Sequence, residues 1–171
     1  MKIIEPELVT AIISFLKPGV AGGIPCPWCP RLAIWYDYIP RLVIPGGLDC
    51  AVLEFTQLNI PDQYKNRKIF LYDFRSAIRL NTEETSWLAN QLAEKLNRDA
   101  VNVKVLIPTR GWSEADREGG PLYDPAMNSL FTGRLKEVLD PLIEIQEVDQ
   151  HINDSAFADA AAGLMNKMIN K

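Results

Sequence analysis

Histidine is nearly absent from this chain and cysteine is scarce, with one His and three Cys in 171 residues. Imidazole is the side chain that ionises near neutrality, so histidine acid, base or metal chemistry must pass through His151. Cys26-Pro27-Trp28-Cys29 has the spacing of redox and zinc sites, yet a closed zinc site needs two further ligands, and Cys50 and His151 are the remaining Cys and His. No metal site is expected. A helix opening at Pro30 and Arg31 would lower a thiol pKa and permit redox exchange. The plainer reading is two reduced thiols on a turn. So few cysteines make no disulfide framework, which points to a reducing cytoplasm.

Long apolar runs are missing as well. Leu8 to Leu16 is broken by Thr10 and Ser14 and falls far short of the roughly 20 residues a bilayer requires. Glu5 and Glu7 stand where a signal peptide carries positive charge. Basic residues are not in excess either, and the formal charge of -4 argues against nucleic acid as a ligand. Gly-x-x-x-x-Gly-Lys-Ser/Thr does not occur, which argues against autonomous Walker-type ATP hydrolysis. Ser113 lies in Gly111-Trp112-Ser113-Glu114-Ala115 rather than in the Gly-x-Ser-x-Gly of a nucleophile elbow.

What is present is an alternation of strands and helices. A hydrophobic content of 47% over this length suits one core, so residues 1–171 are expected to form a single α/β domain. Helices are predicted at Glu5–Lys17 and Arg31–Tyr38, from Thr82 through Leu96 with Asn81 or Thr82 as cap, from Pro125 with Asp124 as cap, and at Ala156–Ile169. Strands are predicted at Arg41–Ile44, Lys68–Tyr72, Val101–Ile107 and Leu142–Val148, with a short apolar segment at Val20–Ile24. Strands separated by helices imply a three-layer, Rossmann-like fold whose sheet is mainly parallel, with about five strands.

In such sheets ligands bind where the loops converge at the carboxyl ends of the strands. Gly46, Gly47 and Asp49 follow the first of these strands, Asp73 the next, and Arg110, Gly111 and Ser113 the third. Glycine lets the backbone approach an anion, and Arg110 and Ser113 offer charge-assisted hydrogen bonds. Asp49 and Asp73 suit a hydroxyl or a metal, with Arg75 or Arg79 as a partner of either, but each also suits a turn. Tyr123 lies in a glycine-rich stretch that reads as a lid hinge or as a simple turn before the Asp124 cap. His151, Asn153 and Asp154 offer a base, an amide donor and an orienting carboxylate.

Two of these stretches carry a family resemblance. Gly111, Ser113, Asp116, Gly120, Tyr123, Asp124 and Pro125, and then His151-Ile152-Asn153-Asp154-Ser155-Ala156-Phe157-Ala158-Asp159-Ala160, resemble the strand-end loop and closing signature of the Tm-one-like ATP-binding family. Pro45-Gly46-Gly47-Leu48-Asp49, and Arg79 ahead of Thr82-Glu83-Glu84, are weaker matches. The resemblance runs from about Gly19 onward and corresponds to the second half of the family's two-part ATP-binding region. The first half, with its Gly-Thr loop, has no counterpart. After Asp49 the family shows Asn-Phe where this chain has Cys50 to Phe55, and its His-Asn is replaced by Tyr72-Asp73.

The resemblance implies Rossmann-like subdomains facing across a cleft, with ATP or another nucleotide bound in some members and no firmly established reaction. One wall of such a cleft would be completed by a separate N-terminal-half protein or by a homo-oligomer. The leading expectation is therefore a small-molecule-binding subdomain. A hydrolase or lyase using His151 as general acid or base, and a non-catalytic interaction module, remain the alternatives.

Overall fold

The β-branched run at Val103 and Val105 becomes the middle strand of a parallel sheet. The computed structural model describes residues 40–170, together with the paired two-residue strands β1 (Val20–Ala21) and β2 (Ile24–Pro25). Further along come β3 (Arg41–Val43), β4 (Cys50–Leu53), β5 (Ile69–Leu71), β6 (Ser76–Arg79), helix α1 (Thr82–Leu96), β7 (Val103–Pro108), α2 (Pro125–Val138), β8 (Glu144–Val148) and α3 (Ser155–Ile169). The helices expected at Glu5–Lys17 and Arg31–Tyr38, and the Cys26–Cys29 segment, lie outside the described residues.

The sheet β3-β7-β8 is parallel throughout, with Val43 beside Val105 and Ile107 beside Glu147. A second sheet, β4-β6-β5, is antiparallel. Of the expected mainly parallel α/β sheet of about five strands, three parallel strands are present among the described residues, which make a mixed α/β fold with a small antiparallel sheet and the β1–β2 pair besides. The strand around Lys68 does form, but as an antiparallel edge. Neither β4 nor β6 has the apolar alternation that reveals a half-buried strand. All four residues of β6 are buried, and they include Ser76 and Arg79.

Helix starts follow the capping logic. Asn81 accepts from the Glu84 N–H while the Glu84 side chain accepts from the Asn81 N–H, a full capping box. Asp124 accepts from the Met127 N–H with Pro125 in the first turn. α3 buries Phe157, Leu164 and Met168 against Leu106, with Leu42, Ile44 and Val148 beside them. A larger core joins Val103, Val105 and Ile107 to Leu88, Leu92 and Leu96 of α1, Phe131 and Leu135 of α2, and Ala51 and Ile78 of the antiparallel sheet. Among the described residues no helix is long and apolar enough to cross a membrane.

Phe131 joins this core to the loop after β7, its ring meeting Trp112 edge to face at 5.0 Å. The Trp112 indole in turn donates to the Pro108 carbonyl at 2.8 Å. Replacing Phe131, which is fully buried, by Ala is expected to cost about 3–5 kcal/mol of unfolding free energy in urea titration. An unchanged midpoint would mean that this contact holds nothing together.

Candidate functional site

Each parallel strand ends in a loop, and the three loops are laced to one another. The Gly47 N–H donates to the Trp112 carbonyl at 2.9 Å, and the Ile152 N–H to the Gly111 carbonyl at 3.1 Å. Ser113 Oγ donates to Asp49 Oδ2 at 2.8 Å. Two glycines permit this closeness. A Cβ on Gly46 would lie 2.7 Å from Ile152 Cδ1. One on Gly111, whose φ is +128°, would collide with the Asp116 carbonyl and lie 2.8 Å from the His151 ring.

Beneath the loops sits a buried guanidinium. Arg79, 5% exposed, places Nη1 2.9 Å from Asp116 Oδ1 and 3.7 Å from Asp49 Oδ2. It also donates to the carbonyls of Leu122 and Asp124 and to the Asn128 side chain. Asp116 is satisfied from other directions by the Trp112 N–H at 3.0 Å and Asn128 Nδ2 at 2.8 Å. Asp49 Oδ1 is buried with no hydrogen-bond donor among the described residues. Burial pushes the Asp49 carboxyl above its ordinary value; the Ser113 hydrogen bond opposes this, the Asp116 charge adds to it, and the Arg79 charge opposes it.

His151 is the second anchor. Its Nε2 lies 2.9 Å from the Ser113 carbonyl, an oxygen that can only accept, so Nε2 carries the proton. Nδ1 then accepts from Arg117 at 3.0 Å and from the Asn153 N–H at 3.2 Å. The His151 N–H donates to Asp154 Oδ2 at 2.8 Å. Both ring nitrogens are engaged, and the residue is 2% exposed.

At the rim, Arg110 makes a two-point contact with Asp149, which also accepts from Thr109. Asn153 donates to Glu114 at 2.9 Å. Tyr123 is half-buried, and its carbonyl accepts from Lys68, whose ammonium also pairs with Asp124 at 2.9 Å. Asp73 stands apart. It follows an antiparallel strand rather than a parallel one and pairs with Arg75 in the β5–β6 turn. Gly46, Gly47, Asp49, Arg79, Gly111, Ser113, His151, Asn153 and Asp154 are thus brought together. Asp116, Arg117 and Asn128 belong to the same network, though sequence reasoning does not single them out. Asp116 did stand within the resemblance stretch, but nothing in the local sequence marks it as buried.

The chain has relatives over most of its length. Residues 21–169 match the C-terminal domain of an uncharacterised protein family, UPF0261. The chain belongs to this family. A UPF0261 protein of Brucella suis is 30% identical over 132 residues, covering 77% of this chain and 31% of that protein. A UPF0261 protein of Clostridium tetani is 30% identical over 156 residues, 89% of this chain and 38% of that protein. The tomato ToMV resistance protein Tm-1(GCR237) is 32% identical over 144 residues, 82% of this chain and 19% of that protein. The chain therefore spans less than half the length of these relatives. The Tm-one-like resemblance read from the two signatures holds at the family level.

Two outcomes follow from the network. Arg79→Met removes the cation between two buried carboxylates and is expected to destabilise the fold by about 3–5 kcal/mol in denaturant titration. A near-neutral result would mean that Asp49 and Asp116 tolerate each other unaided. Asp49→Asn tests the electrostatics. A folded-state carboxyl held above its unfolded value of 3.8 contributes stability in acid, and loses that contribution as pH rises through the raised value. The stability difference, wild type minus Asp49→Asn, should therefore decline as pH rises above 3.8. A difference that grows with pH would show that Arg79 outweighs burial.

Proposed function

We propose that the chain is a small-molecule-binding subdomain that takes a phosphate-bearing ligand, ATP or another nucleotide in the first instance, at the loops after β3, β7 and β8. It acts as one wall of a cleft completed by a partner domain or subunit, in a cytoplasmic setting. The observation that carries this reading is the convergence of the three parallel-strand loops into one laced surface, fixed from below by Arg79 and His151. A surface held in place before the ligand arrives loses little conformational freedom on binding. The reading takes β3-β7-β8, with α3 against one face and α1 and α2 against the other, as the core of a Rossmann-like three-layer unit, where ligands bind at strand carboxyl ends.

The residues fit an anion at the rim more than at the centre. Arg79 is already enclosed by Asp49, Asp116 and Asn128. Arg110 has a side chain 61% exposed, and Asp149, its partner, is 74% exposed. An ion pair so open to water contributes little, so a phosphate can take the place of Asp149 on the guanidinium at small cost. Arg110 with the Thr109 hydroxyl would hold the phosphate, and Asn153 and Tyr123 would border the rest of the ligand. The engagement of both His151 nitrogens supports a holding role for that ring and favours binding over acid–base catalysis.

Thermal unfolding of the whole chain with ATP, ADP or inorganic phosphate tests the reading at low ionic strength. A ligand present at a hundredfold excess over its dissociation constant adds about 2.7 kcal/mol of stability, and a rise in Tm is expected with nucleotide. Arg110→Ala should reduce it. No rise at millimolar ligand would sink the proposal, and a rise untouched by Arg110→Ala would remove the ligand from this rim.

A further inference from the structure

Strand β7 is buried along its length except at Lys104. The middle strand of a covered parallel sheet is ordinarily apolar throughout, so Lys104 marks a part of the sheet left open by the described elements. We propose that the concavity of about 420 Å³ beside it, between α3 and the strands β7 and β8, is a binding site for a small amphipathic carboxylate, an acid with an apolar body. The site lies away from the strand-end loops, and the inference does not depend on the nucleotide reading.

The polar residues share one face. Side chains two apart on a strand point the same way, so Lys104 lies on the face of Leu106, which packs with Phe157 and Leu164 of α3. Gln146 stands beside Leu106 in register, and Glu144 beside Lys104. Toward the last turns of α3 the hollow opens, with Leu164 and Met168 as its inner wall and the exposed Lys167 at its rim. Lys104 and Gln146 both donate to Glu144, which does not itself line the hollow. An ammonium has three donors, so Lys104 keeps two for a ligand. Lys167 forms no hydrogen bond or ion pair with another described residue.

Charge and shape specify the occupant. Two ammonium groups with one carboxylate beside them leave a net positive charge, which favours an anion. Leu164 and Met168 offer an apolar wall to the rest of the ligand, and the volume falls within the range of about 300–1,000 Å³ common to small-molecule sites. Gly163 supplies a further observation. It lies in the interior of α3 and lines the hollow, where glycine disfavours a helix relative to alanine. A Cβ there would meet nothing within 4 Å, so no described neighbour requires its absence. Its missing side chain widens the hollow and lets a ligand approach the helix backbone closely.

Titration calorimetry of the full chain with octanoate and with octanol, at low ionic strength, tests the assignment. Octanoate is expected to bind about tenfold more tightly than octanol, as a hydrogen bond between charged groups gives. Lys104→Met should abolish that preference while octanol still binds, and Lys167→Met should reduce it. Gly163→Leu should block both ligands, because the new side chain fills the hollow. Gly133→Leu is its control, since Gly133 is also helical, in α2, with nothing within 4 Å of a Cβ, and does not line the hollow. Both exchanges favour the helix, so each should raise Tm, and only the one at position 163 should prevent binding. The octanol comparison and Gly163→Leu carry the test if Lys104→Met does not fold. No octanoate binding at millimolar concentration, equal affinity for octanoate and octanol, a preference that survives Lys104→Met, or binding unaffected by Gly163→Leu would each overturn the proposal.

Discussion

The charge of Arg79, held between Asp49 and Asp116, is the interaction around which the rest of the described structure is arranged. A guanidinium removed from water is costly unless its charge and its donors are met. The chain meets the charge and both terminal nitrogens from several directions, while the buried Nε has no hydrogen-bond acceptor among the described residues. Asp49 comes from the loop after β3, Asp116 from the loop after β7, and Asn128 from α2. Arg79 itself sits on β6 of the other sheet, so satisfying one side chain fixes both sheets, two strand-end loops and a helix relative to one another.

His151 extends that constraint to the third loop by bonding the Ser113 carbonyl, while the Ser113 hydroxyl bonds Asp49. Ser113 thus couples the two anchors. The glycines complete the arrangement by omission, since a Cβ at Gly46 or Gly111 would force apart the loops that these hydrogen bonds draw together. The surface on top is accordingly rigid in its backbone and open in its rim side chains. A concavity of about 420 Å³ between α3 and the strands β7 and β8, lined by Lys104, Gln146, Leu164 and Lys167, lies away from these loops.

Much of the fold was legible because its causes are local. The caps at Asn81 and Asp124, the apolar stripe of α3 and the β-branched β7 each depend on residues within one or two turns or a few strand positions. The antiparallel sheet was not legible. β6 is buried on both faces and contains Ser76, which donates to the Phe55 carbonyl, and Arg79, which is neutralised from afar. Its polar residues read as loop until their distant partners are known. The same holds for Asp116 and Asn128, whose roles lie in contacts with Arg79, with each other and, for Asp116, with the backbone N–H groups of Trp112 and Asp124.

The sequence by itself determined which elements would form around β7, α1, α2, β8 and α3, which loops would carry glycine and charge, and to which family the chain belongs. These follow from capping, periodicity and motif, all readable from neighbours along the chain. Tertiary structure alone decided that Arg79 faces inward, that His151 has both nitrogens engaged, and that Asp73 falls in a separate turn. Burial of a charge and the protonation pattern of an imidazole depend on residues many positions away, and only the folded chain brings those residues within hydrogen-bonding distance.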